Sequence, residues 1–251
     1  MIKIISAKSK ENVGIFAAKI ISDQLKLNSK SCFGFATGSS PVGMYSELIK
    51  MCKAGEISFK DVRCVNLDEY VGLPADHDQS YAYFMRKNLF DGIDIDLNNT
   101  NLPNGLATDL DAECKRYDAV VDSMGGIDVQ VLGIGNNGHI GFNEPSDAFS
   151  YGTTAVDLTE STINANSRFF ASRDLVPTKA ISMGVGQIMA AKKILLIALG
   201  DGKAVILERA LFGEVTPRVP ASILRFAKDV TVVADEAALS VIKEKHPEAL
   251  A

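Results

Sequence analysis

The residues best suited to chemistry fall in four short segments. The richest is GIGNNGHIGFNEP, residues 133 to 145, in which glycines surround Asn136 and Asn137, and His139 is followed by Asn143, Glu144 and Pro145. An imidazole exchanges protons near neutral pH, and the glycines let backbone approach a ligand closely. Glu144 is spaced to orient the ring or balance its charge. A capped turn around a structural histidine is the plainer alternative. A metal site fits poorly, because one histidine among scattered oxygen donors is no transition-metal ligand set.

A second segment, NLDEYVGL (66 to 73), puts Asp68 and Glu69 at the end of an apolar run. Adjacent carboxylates can act as a base whose neighbour raises its pKa by like-charge repulsion; an Asx turn or cap would use the same residues structurally. In FATGSSP (35 to 41), an apolar run passes into Thr37, Gly38, Ser39 and Ser40 before Pro41 opens a helix. Small residues ahead of a helix start leave N–H groups and hydroxyls free to face an anion, which points to a phosphate. The alternative is an ordinary turn with Ser40 as N-cap. The last element is cationic: Arg168 in NSRFF and Lys203 in LGDGKA could clamp that phosphate, or be solvated side chains. Of the other histidines, His246 near the terminus reads as solvated and His77 has no setting that decides its role.

These segments need a frame. Short apolar runs at Lys3–Ile5, Cys32–Ala36, Val62–Leu67, Ile127–Ile134, Ile194–Leu199 and Val230–Ala234 predict strands. They are nearly continuous, as in strands buried on both faces of a parallel sheet. Between them Val13, Phe16, Ala17, Ile20, Ile21 and Leu25 recur at helical spacing, as do Val42, Tyr45, Leu48, Ile49 and Cys52. Further helices are expected at Asp109–Val121, Gln79–Phe90, Val185–Ala191, Asp201–Leu211 and Asp235–Lys245. The expectation is an α/β fold with a Rossmann-like open, mostly parallel sheet and helices on both faces. No repeat or linker divides it, so residues 1–251 read as a single domain. In such sheets ligands bind beyond the carboxyl ends of the strands, where the four segments fall.

A formal charge of −5 argues against a nucleic-acid partner, which needs clustered Lys and Arg. No apolar run is long enough for a membrane span, and the start turns charged before a signal-peptide core could form, so the expected location is the cytoplasm. Cys32, Cys52, Cys64 and Cys114 form no CxxC pair, which suggests neither zinc nor a redox motif.

Taken in order, FATGSSP, NLDEYVGL, GIGNNGHIGFNEP, NSRFF, LGDGKA and PASIL resemble the glucosamine-6-phosphate deaminase family over nearly the whole chain, DEYVGL and GHIGFNEP being the specific runs. The resemblance implies conversion of glucosamine 6-phosphate and water to fructose 6-phosphate and ammonia, with no cofactor. His139 matches the residue that moves the ring proton, assisted by Asn137 and Glu144. Asp68 matches the base that carries the C2 proton to C1. Arg168, Lys203 and the 37–40 loop match the phosphate-binding positions.

Two departures stand out. Asn137 stands where many members carry Asp, which leaves Glu144 to supply the charge support for His139. Residues 146–157 hold no Lys or Arg, although regulated hexamers of the family bind N-acetylglucosamine 6-phosphate with basic residues there; hyperbolic kinetics without that effector are expected. Arg225-Phe226 after PASIL is unlike the family and has no sequence-level account. The resemblance allows a monomer or a homo-oligomer. Rival readings are a 6-phosphogluconolactonase, whose family ends its histidine loop differently, and a non-catalytic sugar-phosphate sensor, which would need a DNA-binding helix-turn-helix.

Overall fold

Apolar runs without polar alternation can sit only where both strand faces are covered. The computed structural model, which describes residues 2–250, places them in a seven-stranded parallel sheet. The strands along the chain are β1 (Ile2–Ala7), β2 (Cys32–Phe35), β3 (Arg63–Asn66), β4 (Asp68–Tyr70), β5 (Thr100–Asn101), β6 (Val129–Leu132), β7 (Thr154–Asp157), β8 (Lys179–Ser182), β9 (Lys193–Ala198) and β10 (Val230–Asp235). The helices are α1 (Lys10–Leu27), α2 (Val42–Lys53), α3 (Tyr81–Asn88), α4 (Leu110–Ser123), α5 (Glu160–Asn166), α6 (Val185–Met189), α7 (Ala204–Phe212) and α8 (Ser240–Lys245). Met1 and Ala251, the ends of the expected 1–251 domain, lie outside the described residues.

The large sheet runs β1-β10-β9-β6-β2-β3-β5. All six expected strands occur in it, with ends shifted by at most two residues. Every residue of β2 and β6 is buried. From β2 the chain crosses through α2 to β3 on one side, whereas from β6 it returns to β9 on the other. Right-handed crossovers in opposite directions put their helices on opposite faces, and the reversal leaves a crevice at the carboxyl ends of β2 and β6.

A second sheet, β4-β8-β7, is antiparallel and was not foreseen, nor were β5 and α5. Leu67 joins the two sheets. Its N–H donates to Phe35 O (3.2 Å), continuing the parallel ladder, while its carbonyl accepts from Met183 N–H (2.7 Å), the residue after β8. A buried clamp fixes this junction: Tyr117 hydroxyl donates to Asn66 O (2.6 Å) and accepts Asn66 N–H (3.0 Å). Under the second sheet lies a separate apolar cluster of Tyr70, Phe142, Leu158, Ile163, Val176 and Ala180.

Several helix starts differ from expectation because side chains cap turns instead. Asp235, expected to open the last helix, accepts from Gly200 N–H (3.0 Å) and Ala238 N–H (2.8 Å), so α8 begins only at Ser240. Asp201–Lys203 forms a 3-10 turn ahead of α7. His246 is not solvated: it stacks on Phe212 at 3.9 Å and lies 3.2 Å from Glu208 Oε1. Arg225 donates to the carbonyl of Gly213, at the end of α7, while nothing in the structure explains the exposed ring of Phe226. All four cysteines are free, and burial pushes the Cys32 thiol up to about 11.

Candidate active site

The loops leaving β2 and β6 at the crevice line a cavity of about 520 Å³. Thr37, Gly38, Ser39 and Ser40 reach it from the first loop, and Asn137 and His139 from the second. Asp68, Arg168 and Lys203 also line it. Glu144 does not; it stands behind His139, with 10% of its side chain exposed. Residues spread over more than half the chain are thus gathered at one place.

At one end of the cavity the 37–40 loop turns at Gly38, whose φ of 89° is open to glycine at little cost. Helix α2 starts at Val42, and Pro41 holds the cap position with no side-chain hydrogen bond, so Ser40 is not the N-cap. Lys203 Nζ donates to Asn136 Oδ1 (2.5 Å). Burial, and then the Arg168 cation, lower the Lys203 pKa. The Arg168 guanidinium lies 4.6 Å from the centre of the Phe169 ring. Among the described residues neither cation has a carboxylate in ion-pair contact. Two mutually repelling cations in the same cavity as a loop of small residues make a site for a multiply charged anion.

Asp68 and Glu69 are adjacent in β4 and therefore point to opposite faces. Both are buried, at 5% and 3% exposure, but their environments differ. Glu69 accepts from the N–H groups of Tyr70 (2.9 Å), Tyr81 (2.8 Å) and Ala82 (2.8 Å), capping α3 as well as its own turn. Asp68 Oδ1 has no hydrogen-bond partner. Burial pushes its carboxyl up to about 8, with the Glu69 charge a second cause. The pair expected from sequence is therefore divided: one acid holds the fold, and the other faces the cavity with a raised pKa produced chiefly by desolvation.

His139 packs its ring directly on Gly135; a Cβ there would stand 2.4 Å from Nε2, so only glycine fits. On the other side of the ring, Nδ1 lies 3.2 Å from Glu144 Oε1, close enough for an ion pair but off the line a hydrogen bond requires. Asn137 Nδ2 donates to Glu144 Oε2 (2.5 Å), and Asn137 Oδ1 accepts His139 N–H (3.2 Å). Thr162 hydroxyl donates to Glu144 Oε1. Burial alone would raise the Glu144 pKa, but its contacts with His139, Thr162 and Asn137 outweigh it and hold the carboxyl below its usual value. The loop is docked on the second sheet: Phe142 N–H donates to Ser182 Oγ (3.0 Å), and Asn143 Nδ2 donates to Met183 O (2.9 Å).

Sequence reasoning missed Thr162, Tyr81, Asn166 and Phe169, which also line the cavity. The signal for Thr162 was weak but present: Thr159 three residues earlier caps α5, and such a cap directs the first turn. Tyr81 follows the Ser80 cap of α3 and stacks on Phe142 at 5.9 Å. Among the described residues no three of His, Cys, Asp and Glu converge as metal ligands would.

The chain matches the family model described as glucosamine-6-phosphate isomerases/6-phosphogluconolactonase over residues 9–233. It is 53% identical to the glucosamine-6-phosphate deaminase of Clostridium perfringens (strain SM101 / Type A) over 241 residues, which cover 96% of this chain and 100% of that protein. Identity to the deaminase of Lachnoclostridium phytofermentans is 55% over 231 residues, 92% of this chain and 98% of that one. A solved monomeric glucosamine-6-phosphate deaminase superposes with a TM-score of 0.93 at 43% identity, covering 95% of this chain and 99% of its own. The 6-phosphogluconolactonase from Leishmania guyanensis shares only the fold, at TM-score 0.75 and 18% identity over 95% of this chain and 97% of that one. On these matches and the geometry above, the chain belongs to the glucosamine-6-phosphate isomerase/6-phosphogluconolactonase family.

Proposed function

We propose that the protein is a glucosamine-6-phosphate deaminase, converting glucosamine 6-phosphate and water to fructose 6-phosphate and ammonia. The observation that carries this reading is Asp68: a buried, unpartnered carboxylate with a pKa near 8 in the same cavity as a carboxylate-backed imidazole and two unpaired cations. Chain-long identity to deaminases, together with the FNEP ending of the histidine loop, favours this reaction over lactone hydrolysis.

Arg168, Lys203 and the Thr37–Ser40 loop hold the phosphate. His139, oriented by Asn137 and Glu144, moves the proton that opens the sugar ring; with Glu144 on Nδ1, Nε2 is left to make the exchange. Asp68 then takes the C2 proton, leaving a C1–C2 enolamine, and returns it to C1. The resulting C2 imine adds water and releases ammonia, giving the ketose. Before substrate binds, Asp68 holds a proton at neutral pH; the C2 ammonium of the arriving substrate favours its ionised form. Burial of Asp68 shields the transferred proton from exchange with solvent. The whole chain serves as one α/β domain, and a sugar-phosphate substrate fits a cytoplasmic location. No described helix is long and apolar enough to cross a membrane.

The test is to follow ammonium and fructose 6-phosphate released from glucosamine 6-phosphate by the natural protein and by Asp68→Asn. Equal amounts of both products from the first and neither from the second are expected. No turnover by the natural protein, with hydrolysis of 6-phosphogluconolactone instead, would overturn the reading.

A further inference from the structure

We propose that Thr162 is a positioning residue for this reaction, through which the segment carrying Arg168 fixes the Glu144 carboxylate against His139. The inference rests on the deaminase reading and adds to it. Glu144 Oε1 faces two groups at once, His139 Nδ1 at 3.2 Å and the Thr162 hydroxyl. An ionised carboxylate only accepts, so the sense of the second bond is fixed: the hydroxyl donates. Thr162 Oγ1 in turn accepts the Thr159 hydroxyl (3.2 Å), and Thr159 Oγ1, the cap of α5, accepts Thr162 N–H (3.3 Å). A directional chain therefore runs from the first turn of α5 to the imidazole.

Three features make this chain more than helix stabilisation. Thr162 is buried at the cavity wall, and both of its hydroxyl partners, Glu144 and Thr159, are protein groups that fix its direction. The Glu144–His139 contact is off the hydrogen-bond line, so the other partners of the carboxylate decide which way it turns. Asn137 holds one oxygen and Thr162 the other. Finally, α5 passes directly into the turn Ser167–Phe169 that bears Arg168. Among the described residues the Thr162 hydroxyl makes the hydrogen bond that joins this segment to the 133–145 loop. Phosphate held by Arg168 thereby steadies the group that orients the acid–base residue.

With the Glu144 carboxylate 3.2 Å from Nδ1, its negative charge favours the neutral tautomer that carries the proton there and leaves Nε2 free. The test uses protein labelled with 15N-histidine; it has three histidines, and His139 is assigned by its loss in His139→Gln. The natural protein and Thr162→Ser are expected to show the Nδ1–H tautomer, and Thr162→Val and Thr162→Ala a shift of population to Nε2–H. In parallel, kcat falls about 10-fold in Thr162→Val while KM stays within about twofold, and serine restores kcat to within about threefold. An Nε2–H ring in the natural protein, or a Thr162→Val ring with the natural tautomer, would overturn the proposal. So would a loss of kcat that merely follows the folded fraction. Should the natural protein release no ammonium, the deaminase reading fails, while the tautomer of the unliganded protein still decides the role of Thr162.

Discussion

The two sheets of this protein solve different problems. The seven-stranded sheet is a frame whose strands β2 and β6 are buried throughout without a charge between them. It contributes to the cavity only through loops beyond its strand ends, which hold small residues, His139 and Lys203. The three-stranded sheet carries two buried acids in β4, largely exposed side chains in β7, and α5 with its capping Thr159. One region is stabilised by apolar burial and offers backbone at its margin; the other accepts the cost of burying two carboxyl groups, one of which the chemistry needs. The boundary between them, at Leu67, lies one residue from the proposed base.

The sharpest way to break this contrast is to remove the buried, unpartnered carboxyl. Asp68→Asn is expected to lower kcat by roughly 10³-fold or more. It should also alter stability. The folded-state pKa of Asp68 is raised to about 8, so between its unfolded value and that point the folded protein holds a proton the unfolded chain has released. Stability from this group is full below the unfolded pKa and is lost as pH rises through the folded one. Above pH 8 the asparagine variant should therefore be more stable, by on the order of 1–3 kcal/mol, read as melting temperature against pH. A variant less stable at every pH would break the comparison, since Asp68 would then be holding the fold as Glu69 does.

Next in size is Glu144→Gln, expected to lower kcat by about 10²-fold and to change the pH profile of ring opening. The Glu144 pKa is held down, so its charge is lost only as pH falls through that lowered value, and the acid limb set by it should disappear in the glutamine variant. An unchanged profile would mean that Asn137 alone is enough to orient His139. Removing either cation from the phosphate end should act on binding instead. Lys203→Ala or Arg168→Ala is expected to raise KM by about 10- to 100-fold, the worth of a charge-assisted hydrogen bond. Loss of kcat at constant KM in Arg168→Ala would tie it to the acid–base residue more strongly than to the phosphate.

Glu69→Gln tests the divided acid pair from the structural side. It keeps an acceptor but loses the charge that caps α3, at a cost of about 1 kcal/mol, measured by denaturant unfolding. Because the Glu69 charge is the lesser cause of the raised Asp68 pKa, removing it should move the corresponding limb of the pH–rate profile slightly to lower pH. The smallest expected effect is none at all: saturation by substrate should stay hyperbolic, and N-acetylglucosamine 6-phosphate should not alter it. Sigmoidal kinetics relieved by that compound would show that residues 146–157 serve an effector without a basic side chain.

Much of this was legible in the residues. Continuous apolar runs dictate buried parallel strands, and a parallel sheet with loops of Gly, Ser, Asn and His at its strand ends dictates where a ligand goes. The motif around His139 and the residues Thr37 to Ser40, Asp68, Arg168 and Lys203 were found from type and spacing, and the fold gathers them around one cavity. The second sheet was not legible, because its strands are short and β4 is two-thirds acidic, so no period-2 apolar pattern marks them. Nor could spacing distinguish Asp68 from Glu69. Local sequence determines which groups a chain owns and how they alternate along a strand. Which of two adjacent carboxylates meets the N–H groups of a distant helix, and which is left unpaired at the cavity wall, depends on contacts between segments far apart in the chain, and only the tertiary structure decides it.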